Sequence, residues 1–448
     1  MKFAAILDDF FKTYLQPKMG VRFFVGFSCG VPFLLRLSVL DLWLKDAGVS
    51  NAAIGLFTLL HWPFLLKFLW APFIEKTDFP LLSKFFGRRR GWAIASQIFL
   101  FLGLCGMATS SPQDHIWRLM FFTSLVAFAD GCQDISLYAY QIDCAKKKTY
   151  GAIAGVFVFG YKIGMFFSKS ITLYLAHYFG WNAAYSAMAF SVFLCTIFVL
   201  CIKEPKLAHT KEIEKIQKLV KNFEKESVEK NSLTHLIKSR IYECLICPFK
   251  IFMRQRNWKL ILFVILSYRV GDRIAQKMAK LFYVDLGFSI LDIANVVQVF
   301  GTTSTILGGV IGGYFTKQLG INRAMFYTGS VHAISCFAYV ALSYIGHNIF
   351  ALYATVFIEN ITSGATATVF VAFLYNLCNK TYAATQYSLF WACYECVGMI
   401  FRTLSGTMAD VLGWRIFFIM IPFIFIPALC ALRVLIRQDK CSHTSKNI

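Results

Sequence analysis

The sequence predicts an all-α integral membrane protein of about twelve transmembrane helices in two six-helix halves. Three observations predict it: an apolar excess that no water-facing surface could accommodate, apolar runs of spanning length in two sets of six, and basic residues gathered in alternate loops. Of 448 residues, 57% are hydrophobic, 17% aromatic and only 15% charged. A soluble domain carries roughly 25% charged residues because its outside faces water. Most of this chain's outside must therefore face something apolar. Length alone would allow about three soluble domains, but the hydropathy makes the chain one lipid-embedded body.

A helix crossing a hydrocarbon core of ~30 Å needs about 20 apolar residues. Runs of that kind fall near 22–44, 53–74, 91–111, 117–140, 151–176 and 181–202. They resume near 258–284, 290–316, 323–345, 348–377, 383–408 and 414–436, the tenth and eleventh being long and interrupted. The expected organisation is an N-terminal half at 1–202, a connector at 203–257, a C-terminal half at 258–437 and a tail at 438–448. Ahead of the first run, Lys2 opens a short amphipathic stretch ending at Gln16 and Pro17. No small-residue cleavage site follows an apolar core, so the first hydrophobic helix is expected to stay. Within the connector, Ile213, Ile216, Val220 and Phe223 recur at helical spacing, and Glu214 pairs with Lys218 at i,i+4. That pattern suits an amphipathic helix on the inner leaflet. From Pro248 to Trp258 basic residues alternate with aromatics, as in an interfacial segment leading into the seventh run.

The formal charge of +21 is placed with a bias. Lys76, Lys84 and Arg88 to Arg90, Lys146 to Lys148, the connector, Lys317, Arg323 and Lys380 all fall in even-to-odd connections; the opposite loops offer mainly Lys45, Arg118 and Arg415. Loops rich in Lys and Arg stay on the cytoplasmic side, so both termini are expected inside. The same distribution argues against a nucleic-acid partner, because no separate basic module stands out. The fourteen cysteines form no disulfide framework, since most lie inside apolar runs. Cys244 and Cys247 make one C-x-x-C pair without the second pair or histidines that a zinc site requires.

The halves echo each other. Phe85-Phe86-Gly87-Arg88-Arg89-Arg90-Gly91-Trp92 follows the second run; Gly312-Gly313-Tyr314, Lys317 and Gly320-Ile321-Asn322-Arg323 follow the eighth. A glycine turn followed by arginines in the same loop of both halves favours the two-halved transporter architecture of the major facilitator type, with Gly87, Arg88, Arg89 and Arg90 as a conformational loop motif.

An ionisable side chain at bilayer depth costs several kcal/mol unless it faces a cavity or a partner. The third, sixth, ninth and twelfth runs carry no Asp, Glu, Lys or Arg in their central stretches, and the ninth has only His332. The first has Arg36 and Asp41, the fourth Asp130 and Asp134, the fifth Lys162 and Lys169. The seventh carries Arg269, Asp272, Arg273, Lys277 and Lys280, the tenth Glu359, the eleventh Glu395 and Arg402. Charges absent from every third helix suit a polar path down the middle of a bundle. Asp130 and Asp134 are one turn apart and share a face, so they suit either a shared proton or an ion pair with Lys162. Arg269, Asp272 and Arg273 suit an anionic substrate group, through Arg's planar fork, or mutual neutralisation. Lys277 and Lys280 are expected to snorkel to the outer headgroups, and Lys67 beside Trp70 to anchor at the interface. Glu359 and Glu395 are candidate proton sites. No G-x-x-x-x-G-K-[ST], H-E-x-x-H, catalytic triad or metal cage appears, so neither an ATP-driven pump nor an enzyme is expected, and no cofactor or metal. No stretch marks a stable protein partner.

Ordered matches along residues 20–437 carry a resemblance. They are Gly26-Phe27-Ser28-Cys29-Gly30-Val31-Pro32; Lys67-Phe68-Leu69-Trp70-Ala71-Pro72; Phe85 to Trp92; Gln133-Asp134-Ile135; Gly160-Tyr161-Lys162-Ile163-Gly164-Met165; Tyr268-Arg269-Val270-Gly271-Asp272; Glu359-Asn360; and Leu377-Cys378-Asn379-Lys380 with Ala384-Thr385-Gln386. In these the chain resembles the AmpG muropeptide permeases of the major facilitator superfamily. The resemblance implies proton-driven import of N-acetylglucosaminyl-anhydro-N-acetylmuramic acid and its peptides across the bacterial inner membrane, for peptidoglycan recycling. Carried over by position, Asp134 and Asp272 would be the working acids, with Lys162 and Arg269 as basic partners. The chain departs from the family pattern at Tyr138 and Gln141, where an acid and a base are usual, and at Arg36, Asp41, Arg273, Glu395 and Arg402. Rewritten charges along the path leave a second cargo open: another anionic metabolite, nucleotide- or CoA-like. A non-transporting membrane sensor is the third reading, and it lacks a soluble signalling domain.

Overall fold

Among the described residues every regular element is a helix, and the helices take their breaks from proline and glycine. The computed structural model describes residues 16–49, 57–145, 149–204, 247–379 and 382–444. The amphipathic connector helix, Cys244, Lys146 to Lys148, Lys380 and the first fifteen residues lie outside them. Pro17 opens α1 (Pro17–Leu34), where its missing N–H costs nothing. Pro32 inside that helix cannot donate to the Ser28 carbonyl four residues back, and Gln133 Nε2 supplies the bond instead at 2.9 Å. The ladder then loosens into a π-helical stretch, Leu35–Val39, with Leu37 off helical geometry, before α2 (Leu40–Asp46).

The next apolar run is expected as one helix, but its described part is four short pieces: 3₁₀ turns at Thr58–His61 and Lys67–Leu69, and α3 (Trp62–Leu65) and α4 (Ala71–Lys76). Pro63 and Pro72 each sit in the first turn of a piece, where each removes a donor from the ladder. After α5 (Leu82–Phe86) come α6 (Arg88–Ala108), α7 (Ile116–Cys144) and α8 (Tyr150–Cys201). Past the connector stand α9 (Cys247–Met253), α10 (Trp258–Ser267) and α11 (Val270–Asp285), the last two parted at Tyr268 and Arg269. Then follow α12 (Ile290–Ile293), a π-helical Ala294–Phe300, and α13 (Gly301–Leu319). The remainder is α14 (Ile321–Ser335), α15 (Phe337–Ile345), α16 (Ile349–Leu377) and α17 (Ala383–Thr444). Asn348 caps α16, its side chain accepting from the Phe350 and Ala351 amides at 3.0 and 3.1 Å.

Seven helical stretches among the described residues are long and apolar enough to cross a membrane. The two longest turn back at a left-handed glycine: α8 at Gly180 (φ 81°, ψ 165°) and α17 at Gly413 (φ 70°, ψ 159°). Gly87 (φ 84°, ψ 167°) and Gly320 (φ 77°, ψ 159°) take the same conformation ahead of α6 and α14. Only glycine adopts this backbone without strain. The spacing repeats as well: 93 residues separate each pair (180 − 87 and 413 − 320).

Close helix approach is bought with glycine too. A methyl added at Gly26 or Gly30 would strike the Phe157 or Tyr161 carbonyl oxygen, and one at Gly160 or Gly164 would strike that of Phe23 or Phe27. The backbones of α1 and α8 therefore touch, by the small-residue rule of membrane helices. Outside, Phe24, Trp117, Phe121, Ile334 and Phe350 stand exposed, as a lipid-facing shell requires. Eleven described cysteines are free; Cys396 and Cys430 are exposed on the apolar outside, not packed inside.

Candidate functional site

The irregular segments hold the first buried ion pairs. Arg36, in the π-helical stretch after Pro32, sets its Nε 2.9 Å from Asp130 Oδ2, and both side chains are buried. Lys67, in the 3₁₀ turn between α3 and α4, sets its Nζ 2.7 Å from Asp134 Oδ2. Lys67 is only 1% exposed, so it is not the interfacial anchor its neighbour Trp70 suggests. Nor does Asp134 pair with Lys162. One turn of α7 carries both acids on one face, and a different broken segment brings a cation to each. Aromatic rings complete the shells: the Arg36 guanidinium lies 4.0 Å from the Phe64 ring centroid, and the Lys67 ammonium 4.2 Å from Phe64 and 4.3 Å from Trp391. Trp391 comes from α17, more than 300 residues further along the chain. Asp130 Oδ1, Asp134 Oδ1 and an Arg36 Nη2 remain without hydrogen-bond partners.

A second polar centre starts at the break between α10 and α11. Arg269 falls there, and its Nη2 donates to Asp272 Oδ2 in the first turn of α11. Gln276 Nε2 and Ser363 Oγ donate to Asp272 Oδ1 at 2.9 Å each, and His332 Nε2 lies 3.3 Å from the same oxygen. The His332 Nδ1 faces Thr362 Oγ1 at 2.9 Å. His332 thus joins a centre that sequence periodicity assigns to other helices. Glu359 is buried beside them: one ligand atom from each of Asp272, His332 and Glu359 lies within 4.8 Å of the others. Arg273 turns away from Asp272. Its Nη2 bonds Glu395 and its Nε bonds the Tyr394 hydroxyl, while Arg402 Nη2 holds the other Glu395 oxygen at 3.0 Å. So Arg269 pairs with Asp272, and Arg273 pairs with Glu395 instead. Lys162, half-buried on α8, makes no ion pair among the described residues. Lys277 and Lys280 are exposed.

A third cluster surrounds the glycine-arginine loop. Glu204 accepts from the Arg89 and Arg90 amides at 2.9 and 3.1 Å, filling the open N-terminus of α6. The Arg89 side chain turns inward, with Nη2 at 2.9 Å from Glu75 Oε1 and Nε at 2.9 Å from Asp143 Oδ2. Arg90 turns outward to the Val199 and Leu200 carbonyls; Arg88 is half-buried between. Glu75 also reaches the start of α17, accepting from the Ala384 and Thr385 amides at 3.0 and 2.9 Å and the Thr385 hydroxyl at 2.8 Å. One carboxylate on α4 therefore ties the first turn of α6 to the start of α17. Beside it Tyr138 stacks on Tyr387 at 4.5 Å. Sequence reasoning missed Glu75, Asp143, Lys67 and His332. The signal available for Glu75 and Lys67 was their place among prolines, where a broken helix frees room for a buried charge.

Buried charges strung along broken, glycine-rich helices inside an apolar shell define a multi-pass membrane transporter. The model of the Major Facilitator Superfamily matches residues 19–401. Similar curated proteins include putative transporter AmpG 4 of Rickettsia felis, 29% identical over 96% of this chain and 98% of that one. Putative transporter AmpG 3 of Rickettsia prowazekii is 31% identical over 90% and 93%. The anhydromuropeptide permease of Escherichia coli K12 is 28% identical over 95% of this chain and 81% of the permease. Among solved structures, FucP in the outward conformation superposes with a TM-score of 0.67 at 13% identity, covering 94% of this chain and 99% of FucP. The proton:xylose symporter XylE gives 0.63 at 12%, covering 92% and 94%. The chain belongs to the Major Facilitator Superfamily and, within it, to the AmpG family.

Proposed function

We propose that this transporter imports anhydromuropeptides across a bacterial inner membrane, coupled to protons, through twelve spans in two halves with both termini cytoplasmic. The observation that carries the cargo is the likeness to the Escherichia coli anhydromuropeptide permease along 95% of the chain. The repeated 93-residue glycine spacing supports the two-halved organisation, with boundaries at 1–202, 203–257, 258–437 and 438–448. The positive-inside bias supports the orientation. In this reading Asp134, Lys67 and Arg36 line the path from the first half, and Lys162, Arg269, Asp272, Arg273, Glu359 and Glu395 from the second half and α8. The Glu75 cluster is then the cytoplasmic closure, and Gly87 to Arg90 hold it.

Uptake of labelled anhydromuropeptide by cells lacking their own permease tests this, with and without an uncoupler. Uncoupler-sensitive uptake that Asp134→Asn abolishes is the expected result. No uptake from a well-expressed, folded chain would sink the cargo and leave the fold standing. A specific observation favours the second reading, another anionic metabolite. Lys162, Arg269, Arg273 and Arg402 face Asp272, Glu359 and Glu395, and Lys162 has no carboxylate of its own. Competition of nucleotide- or CoA-like anions against labelled anhydromuropeptide decides between the two.

A further inference from the structure

Two carboxylates in the second polar centre are treated very differently by their surroundings. Asp272 is fully engaged as an anion: Oδ2 receives Arg269, and Oδ1 receives Gln276, Ser363 and the His332 imidazole. Glu359, on α16, is 3% exposed and makes no ion pair among the described residues, and its Oε1 has no hydrogen-bond partner. Glu359 has no bound cation, and the Tyr339 hydroxyl is the one donor that reaches its carboxyl among the described residues. An ionised carboxylate so buried is costly, and a second carboxylate close by makes it costlier. The neutral acid removes both costs by placing a hydrogen on the bare oxygen. The groups facing Glu359 from every packed element are compatible with this. Asp272, Arg269 and Tyr283 come from α11 and its break, Lys162 from α8, His332 and Cys336 from α14 and its end, and Tyr339 from α15. The cations among them are already bound or stand further off, since Glu359 pairs with none.

We propose that Glu359 is the proton-carrying carboxyl of this transporter, and that the Arg269–Asp272 pair beside it couples that proton to the cargo. His332 serves as a positioning residue for Asp272. The inference rests on the proton-coupled reading above and names the group that does the coupling. When an anionic cargo draws Arg269 off Asp272, the local negative charge rises and Glu359 holds its proton more tightly. By reciprocity, a protonated Glu359 lowers the cost of lending Arg269 to the cargo. Proton and cargo then bind together and leave together. The step balances simply: a hydronium ion on the outer side passes H⁺ to Glu359 Oε1, one of its O–H bonds breaking to leave water as the carboxyl O–H bond forms. On the cytoplasmic side, after the cargo departs, the carboxyl O–H bond breaks and the proton passes to water as hydronium. A metal ion in the same place is disfavoured because both Asp272 oxygens are already taken by protein donors, with Arg269 a permanent cation among them.

Two measurements on the purified full chain separate the outcomes. The first needs no cargo: infrared difference spectra across a pH titration should show a protonated-carboxyl band in wild type that is missing in Glu359→Gln. The second uses proteoliposomes and labelled anhydromuropeptide. Glu359→Gln should lose all uphill accumulation, any label movement that remains running only down its own gradient and ignoring the uncoupler. Glu359→Asp, which keeps a carboxyl, should retain both the band and uncoupler-sensitive uptake. His332→Asn should move the half-maximal pH of uptake upward by about half a unit or more, since Asp272 loses a donor and the carboxylate pair holds its proton longer. A band that persists in Glu359→Gln, or uphill accumulation by that variant in vesicles where wild type is uncoupler-sensitive, overturns the assignment to Glu359. Wild-type accumulation that ignores the uncoupler sinks the proton-coupled reading itself. Thermal stabilisation of wild type by Na⁺ or Mn²⁺ that Glu359→Gln abolishes would replace the proton with a metal ion.

Discussion

At the scale of single residues, the acids of α7 show how little a charge reveals of its partner. Asp134 and Lys67 are 3% and 1% exposed and bond at 2.7 Å. Removing one member of a buried pair strands the other, at a cost of about 3–5 kcal/mol. Asp134→Asn should therefore lower the unfolding temperature in detergent as well as abolish uptake. The double change Lys67→Met with Asp134→Leu should restore the unfolding temperature to near wild type while uptake stays absent. If the double variant transports, the pair is structural only. The sequence made Asp134 conspicuous, because an acid in an apolar run has few places to go. It hid Lys67, because a lysine near a tryptophan at the end of an apolar run reads as an interfacial anchor. What separates the two cases is whether the helix continues, and prolines 63 and 72 decide that through backbone geometry that periodicity does not encode. His332 was hidden for a related reason: a lone histidine in a helix whose central stretch carries no other charge gives no hint of the carboxylate across from it.

At the scale of elements, α1 and α8 lie backbone to backbone because Gly26, Gly30, Gly160 and Gly164 leave no side chain between them. Gly160→Val would set its Cβ against the Phe23 carbonyl, and a backbone atom cannot swing aside as a side-chain tip can. Overpacking a tight core costs typically about 1–3 kcal/mol, occasionally more, so this variant should unfold at a clearly lower temperature and be recovered in reduced yield. Gly406 is the control. It too is helical, but a Cβ there meets nothing within 4 Å. Gly406→Ala should leave the unfolding temperature unchanged or slightly raised, because alanine loses less backbone freedom on folding. Equal losses from both variants would show that helix propensity, not close approach, sets these glycines. The glycine spacing of four was legible in the sequence. Which helix it would face was not, since that is fixed only when the bundle assembles.

At the scale of the whole molecule, the contacts that join residues before 202 to residues after 258 gather around Glu75, Tyr138, Gly151 and Gly155. Their counterparts are Thr385, Tyr387, Thr316 and Gly309. A carrier that alternates its access must break this set once per cycle, so the closure should be strong enough to hold and weak enough to open. Glu75 is suited to that role because its carboxylate accepts three bonds from the start of α17 while it faces Arg89. A helix N-terminus prefers a full negative charge over an amide, and hydrogen bonds to a charged group are worth about 1.5–3 kcal/mol. Glu75→Gln keeps the shape and removes the charge. If it weakens closure by about 1.4 kcal/mol, the open population rises about tenfold. Cys378, 8% exposed at the end of α16 and near Glu75, reports on this directly. In a chain whose other cysteines are replaced, a membrane-permeant maleimide should label Cys378 about tenfold faster in Glu75→Gln than in wild type, the rate following the open population. Labelling at an unchanged rate would mean that the aromatic stack of Tyr138 on Tyr387 and the glycine-lined contact of α8 with α13 keep that end shut, and that the carboxylate only orders the loop.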